Sequence, residues 1–232
     1  MNLRVVRGAA GAKSLLQSPG PIVMIDALRM SATVIVALHL GMEVIPVATV
    51  KEAEVIRTTG GLTAGERGGK KLPKLDYGNS PTELLSAGGR SGALSGKALA
   101  LTTSNGIPAL LAVAGHRGAV FVGSPLNLFA LAARIGDESP DALSLLIAEA
   151  DETTAQEDAM TAALLLERLD HPIPPELPVP VRDEDVERFF LDTASGKKLA
   201  ALGYEQDVRL CAGVDRYPIV PVFSEGRVAV SF

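Results

Sequence analysis

Short apolar runs recur along the chain, and most are followed by a stretch where apolar positions return every three or four residues. Leu3–Arg7 and Pro21–Ile25 read as strands, and Met30–Leu40 then carries helical spacing up to Gly41. The alternation continues with strand Glu43–Ala48 and helix Val50–Thr58, strand Lys97–Thr103 and helix Ile107–Ala114, and strand Ala119–Gly123 and helix Leu126–Ile135. Strand Ala142–Ala148 and the long helix Ala155–Leu169 complete the series. Strands apolar on both faces that alternate with helices predict an α/β fold, a mostly parallel sheet covered by helices in layers.

Two segments break the rhythm. Gly60–Lys71 gathers five glycines around Glu66 and Arg67 and reads as a flexible glycine-rich loop. Asp170–Pro180 holds five prolines and reads as an extended connector. Beyond it, Val181–Leu191 and Ser195–Leu202 have helical spacing, and Tyr217–Phe223 with Arg227–Val230 suggests a closing hairpin. A tail from about residue 181 is too short to bury a core of its own, so one α/β domain over 1–232 is expected, with that tail as an extension.

Composition narrows the function classes. Lys plus Arg is 22 and Asp plus Glu is 27, a net charge of −5, which supplies no basic stripe for nucleic acid. One cysteine excludes an internal disulfide and a cysteine zinc site, and three histidines leave no room for a histidine-rich metal cluster. The apolar stretch from Ile22 to Ala48 is interrupted by Asp26, Arg29, His39, Glu43 and Pro46, which a bilayer would not accept. Met1–Arg7 carries Arg4 and Arg7 and is not followed by a signal-type apolar run. A cytoplasmic protein that meets neither membrane nor nucleic acid is expected.

The polar residues collect at strand ends. Asp26 and Arg29 follow Ile25; Thr102, Thr103, Ser104 and Asn105 follow Leu101; Ser124 and Asn127 follow Val122; Glu149, Asp151, Glu157 and Asp158 follow Ile147. Open α/β sheets bind ligands at the carboxyl ends of their strands, where helix N-termini favour oxyanions. The familiar phosphate motifs are absent: GERGGKK at 65–71 and GAAGAKS at 8–14 miss the P-loop spacing, and CAGVDR at 211–216 is one residue short of the cysteine-phosphatase cradle. What remains is acidic. Asp26, Glu66, Glu157 and Asp158 are hard oxygen donors of the kind that suit magnesium. Asp26, directly after an apolar strand, is the carboxylate least explained by solvation.

Taken together, these residues resemble the 2-phosphosulfolactate phosphatase family. The elements that carry the resemblance are D-A-L-R at 26–29 with Ser31 and Thr33, G-E-R-G-G at 65–69, G-N-S-P at 78–81, T-T-S-N-G at 102–106, G-S-P-L-N at 123–127, the pair Glu157-Asp158, and G-x-x-x-D-V-x-x-C from Gly203 to Cys211. They span nearly the whole chain. One departure is the segment Ala148-Glu149-Ala150-Asp151, where an Ala-Gly pair is usual.

The resemblance implies an α/β fold, a homo-oligomer (most simply a dimer) and Mg2+-dependent hydrolysis of 2-phospho-3-sulfolactate to 3-sulfolactate, a step toward coenzyme M. On physical grounds, Asp26 would hold the metal, with Glu66 or Asp158 as second ligand. Arg29 would grip the phosphoryl group and Arg67 the remote anion of a small phosphorylated substrate. Thr103, Asn105 and Ser124 would supply neutral donors, with Asn79, Ser80 and Asn127 completing the pocket. Attack by water and a covalent aspartyl-phosphate on Asp26 both stay open. Two other readings also stay open: hydrolysis of another phosphorylated hydroxy acid, and non-catalytic binding of small anionic metabolites.

Overall fold

The structure is a computed structural model that describes residues 1–88, 92–149, 151 and 155–230. Ala150 of the departing segment lies outside the described residues. Strand β1 (Asn2–Arg7) leads through α1 (Gly8–Ala12) and a 3-10 turn at Lys13–Leu15 into β2 (Ile22–Ile25). Then come α2 (Met30–His39), β3 (Glu43–Pro46), α3 (Val50–Thr58), β4 (Leu62–Arg67), β5 (Lys70–Lys71) and α4 (Pro81–Gly88). The middle of the chain holds β6 (Ala98–Thr102), α5 (Gly106–Ala112), β7 (Val120–Gly123), a 3-10 turn at Pro125–Asn127, α6 (Leu128–Glu138), β8 (Ala142–Ile147) and α7 (Gln156–Arg168). After the proline-rich connector stand α8 (Val186–Asp192), α9 (Ala194–Ala201), α10 (Glu205–Cys211) and the strands β9 (Pro221–Ser224) and β10 (Arg227–Val230).

The strands form one sheet in the order β1-β8-β2-β7-β9-β10-β3-β6-β4-β5. The chain thus has the α/β layering that its periodicity predicts. Strand β2 shows why: Ile22 and Met24 enter one hydrophobic cluster, and Val23 and Ile25 enter another on the opposite face. A strand buried on both faces cannot alternate polar and apolar residues, and this one is continuously apolar. Helix α2 is buried from Met30 to Leu38, so it too is apolar all round rather than amphipathic.

Strand direction sets the site. The strands β1, β8, β2 and β7 are mutually parallel, and so are β3, β6 and β4. The C-terminal hairpin lies between the two groups, antiparallel to β7 on one side and to β3 on the other. Three successive reversals make the two parallel groups run in opposite senses. In a flat sheet their carboxyl ends would lie on opposite edges. Here residues at or after both sets of carboxyl ends line one cavity, which the accumulated twist of a ten-stranded sheet permits.

The glycine-rich segment 60–71 is a correction to the sequence reading. It is not a flexible loop: it folds as β4 and β5, joined by Gly68 and Gly69 at φ +61° and +89°. Gly65 is a strand residue because a Cβ there would sit 2.5 Å from the Thr102 carbonyl oxygen of the neighbouring strand. The C-terminal hairpin lies well inside the sheet, and α1, α4 and α10 are additional helices. Among the described residues, no helix is long and apolar enough to cross a membrane.

Phe223 of β9 is 5% exposed and packs into the cluster that contains Met24, Val44 and Leu101. Phe223→Ala is therefore expected to destabilise the fold by about 3–5 kcal/mol, measured by denaturant unfolding. A loss below about 1 kcal/mol would mean that the hairpin is a dispensable appendage.

Candidate active site

Strand β2 ends at Ile25, and the next residue begins the site. Asp26 is 8% exposed, and its Oδ1 accepts from the Met30 backbone N–H at 3.2 Å, at the start of α2. The Asp26 N–H in turn donates to Ser31 Oγ at 3.0 Å. A carboxylate at a helix start meets unpaired N–H groups and a favourable dipole. From the opposite side, α7 brings Asp158, whose Oδ1 accepts from the Ala27 N–H at 2.7 Å. Glu157 beside it is also buried, and its Oε2 has no hydrogen-bond partner. The adjacent Leu28–Arg29 peptide bond is cis.

The other parallel group contributes Glu66 near the end of β4. Its Oε1 accepts from the Ser104 N–H at 2.7 Å, and its Oε2 accepts from the Gly69 N–H at 2.7 Å and from Ser104 Oγ at 3.2 Å. One carboxylate thus ties the β4–β5 turn to the turn after β6. Asn105 in that turn donates from Nδ2 to Glu149 Oε2 at 2.7 Å, reaching the carboxyl end of β8. Gly106 follows because nothing larger fits: a Cβ would lie 2.1 Å from Asp26 Oδ2. Asn79 is 3% exposed and presents an Oδ1 without a partner. Helix α9 closes the side away from the sheet with Ser195, Lys198 and Leu199. The resulting cavity has a volume of about 130 Å³.

Its electrostatics are lopsided. Burial raises the Asp26 pKa from 3.8 to about 7; the Met30 N–H opposes this, and the charges of Glu66 and Glu157 add to it. Burial, and then the neighbouring charges of Asp26 and Glu157, push Asp158 well above its ordinary value. Burial also raises Glu157, against hydrogen bonds from Ser195 and Thr193. Arg29 lines the cavity but is already neutralised. Its Nη1 donates to Asp207 Oδ2 at 2.6 Å, its Nη2 donates to the Gly69 carbonyl at 2.8 Å, and its guanidinium lies 4.3 Å from the Tyr204 ring centre. Asp207 also accepts from Ser80 Oγ at 2.9 Å, from the Thr82 N–H at 3.1 Å and from Thr82 Oγ1 at 2.5 Å.

Of the residues singled out in the sequence as donors or ligands, Asp26, Arg29, Glu66, Asn79, Asn105, Glu157 and Asp158 line this cavity. Five others lie elsewhere. Arg67 turns back to the Glu66 carbonyl and Thr102 Oγ1, at 2.6 and 3.0 Å. Ser80 serves Asp207, and Thr103 Oγ1 accepts from the Ile107 N–H at the start of α5. Ser124 and Asn127 form a reciprocal capping box at the turn after β7, and Asn127 also donates to the Ile219 carbonyl. Sequence reasoning does not single out Ser195, Lys198 or Asp207. Asp207 stands inside the G-x-x-x-D-V-x-x-C element, whereas Ser195 and Lys198 reach the cavity only through the packing of α9.

Among the described residues, no three His, Cys, Asp or Glu side chains are grouped closely enough to cage a metal. A magnesium ion needs less, because it takes one or two carboxylates and keeps several waters. Asp26 and Asp158 fit that demand. They are hard, buried, mutually repelling donors at a cavity whose one arginine is already paired. The unpartnered oxygens of Glu157 and Asn79 point to the same conclusion, that the cavity is built for a polar occupant.

The family model described as 2-phosphosulpholactate phosphatase matches residues 11–226. The 2-phosphosulfolactate phosphatase of Methanothermobacter thermautotrophicus is 33% identical over 217 residues, covering 91% of this chain and 90% of its own length. A protein of Parasynechococcus marenigrum named "Probable 2-phosphosulfolactate phosphatase" is 33% identical over 226 residues, covering 88% and 89% of the two chains. A Thermus thermophilus protein of the same name is 30% identical over 223 residues, covering 92% and 91%.

The raised Asp26 pKa has a consequence for stability. The fold favours the protonated acid, so this group's contribution is fully present below its ordinary pKa of 3.8 and is lost as pH rises through about 7. Metal-free protein is expected to melt at progressively lower temperature from pH 5 to pH 8. Asp26→Asn, a neutral isostere, should flatten part of that decline and melt above the wild type at pH 8. Parallel melting curves for the two proteins across this range would show that Asp26 is not a desolvated charge.

Proposed function

The chain belongs to the 2-phosphosulpholactate phosphatase family, and we propose that it hydrolyses 2-phospho-3-sulfolactate to 3-sulfolactate and phosphate with Mg2+ as cofactor, supplying a precursor of coenzyme M. The observation that carries this reading is the buried carboxylate cluster at the meeting point of both sets of strand ends, on a chain aligned to the family over nearly its full length. Asp26 and Asp158 would hold the cation, each oriented by a backbone N–H, from Met30 and Ala27 respectively. When bound, the cation supplies neutralisation of phosphoryl charge and lowers the pKa of a bound water.

The protein's own groups do the rest. Glu66 is engaged by three hydrogen bonds, so its part is to fix the 68–69 turn and the Ser104 backbone at the cavity wall. Asn79 presents a buried amide to the substrate, and Asn105 is held in place by Glu149. Glu157 Oε2 is a buried carboxylate oxygen without a hydrogen-bond partner at the cavity, and it would take the proton from the attacking water. As the bond between phosphorus and the C2 oxygen breaks, that oxygen takes a proton from solvent and leaves as the hydroxyl of 3-sulfolactate, and the proton held on Glu157 returns to solvent. Arg29, locked by Asp207, Gly69 and Tyr204, is a fixed positive wall rather than a mobile clamp.

Phosphate release from a panel of phosphorylated hydroxy acids, with Mg2+ and after chelation, tests the reading. Preferred turnover of the sulfonated ester that vanishes on chelation is the expected outcome. Preference for another ester would move the substrate assignment, and ligand binding without turnover would make the protein a binder. Two variants sharpen the test. Asp26→Asn should lower kcat by about 10²–10³ in a folded protein. Gly106→Ala, which forces a methyl group against Asp26 Oδ2, should cost on the order of 10² through misplacement of that carboxylate. Near-normal turnover in a folded Gly106→Ala variant would show that the position of Asp26 is unimportant to the chemistry.

A further inference from the structure

A phosphate ester that also carries a carboxylate and a sulfonate presents this cavity with a problem. Asp26, Glu66, Glu149, Glu157 and Asp158 all line it. At an effective dielectric constant near 20, two unit charges 4 Å apart interact by about 4 kcal/mol, so an uncompensated anion against this wall would be expelled. A bound cation would accommodate the phosphoryl group; the sulfonate at the far end of the substrate needs a protein charge. Arg29 cannot serve freely, since Asp207 holds it in a buried pair at 2.6 Å. Arg67 is exposed, bonded to Thr102 and the Glu66 carbonyl, and absent from the cavity lining.

Helix α9 supplies the remaining candidate. Ser195, Lys198 and Leu199 stand at i, i+3 and i+4, the spacing that places them on one helix face, and all three line the cavity. Among the described residues, Lys198 is the one cavity-lining cation with no carboxylate within ion-pair distance. The helix itself is held in register by Thr193, whose Oγ1 accepts from the Gly196 N–H at 3.0 Å, and by Leu199 packed near Gly69. Lysine also matches such an anion, because a compact charge on a flexible stem meets a tetrahedral sulfonate from many directions, with no need for the planar fork of arginine.

We infer that Lys198 on α9 is the residue that binds the substrate's non-reacting sulfonate and so sets the preference for a sulfonated ester. This rests on the phosphatase reading above and assigns the specificity of that same cavity. The contact is made before and during reaction alike, so its loss acts on binding and leaves the chemical step nearly intact.

The test compares wild type, Lys198→Met and Lys198→Arg as full-length proteins with Mg2+, on 2-phosphosulfolactate and on phenyl phosphate, which has neither carboxylate nor sulfonate. Lys198→Met should raise KM for the sulfonated ester by about tenfold or more, the effect of losing one charge-assisted hydrogen bond. Its kcat, and its KM for phenyl phosphate, should change by less than about threefold, and Lys198→Arg should recover most of the loss. Equal KM changes on both esters, or none on either, would overturn the assignment. Calorimetric titration with 3-sulfolactate needs no turnover and separates the two claims. If wild type fails to hydrolyse the sulfonated ester, the substrate reading falls, yet weaker sulfolactate binding by Lys198→Met still supports the anion subsite. Absent or unchanged sulfolactate binding removes it.

Discussion

The structure is organised around the burial of like charge. Three of the carboxylates at the cavity, on Asp26, Glu157 and Asp158, are less than one-tenth exposed and have raised affinities for protons. An unpaired buried charge is among the costliest features a fold can carry. This protein does not neutralise the cluster with arginines. It distributes backbone N–H donors instead: Met30 to Asp26, Ala27 to Asp158, and Gly69 and Ser104 to Glu66. These donors come from helix starts and tight turns, where N–H groups lack partners within their own element. The remaining imbalance is what a divalent cation would relieve, so the same arrangement that weakens the empty protein prepares it to bind.

This constraint explains features that packing alone would not. Gly106 leaves room for Asp26 Oδ2, and Gly65 lets β4 lie against β6 so that Glu66 reaches Ser104. The Arg29–Asp207 pair has a positional role. Burying such a pair brings little net stability, but removing one partner strands the other and commonly costs about 3–5 kcal/mol. Asp207 belongs to α10, Ser80 and Thr82 to the start of α4, and Arg29 to the turn after β2. The pair therefore fastens the C-terminal helices to the sheet ends and makes α9 a wall of the cavity.

The layered α/β architecture was legible because buried strands and helices leave strong periodic signals, as in Ile22–Ile25 and Met30–Leu38. The glycine-rich segment was misread because glycine carries the same letter whether it gives freedom, as at Gly68 and Gly69, or permits close strand contact, as at Gly65. Asp26, Glu66 and Asp158 could be picked out as acidic residues at element ends, and the structure gathers them. Ser124 and Asn127 look the same in sequence, yet they cap a turn, because capping and ligand binding draw on the same short polar side chains. Lys198 had no local signal at all. Its relevance arises from the packing of α9, about 170 residues beyond Asp26 in the chain, and no short-range pattern encodes that contact.

The two sides of the cavity are held by different means, and this separates their roles. On the sheet side, Asp26, Glu66 and Asp158 are each fixed by main-chain donors. On the α9 side, Lys198 is an exposed side chain on a helix anchored by its Thr193 cap and by apolar contacts to Gly69. An interaction made by backbone geometry is rigid and suits groups that must meet the developing charge of a reaction. One made by a long side chain tolerates replacement and suits recognition of a distant part of the ligand. A phosphatase built this way can change which acid it accepts by altering one helix face while its strand ends, and the chemistry they support, stay in place.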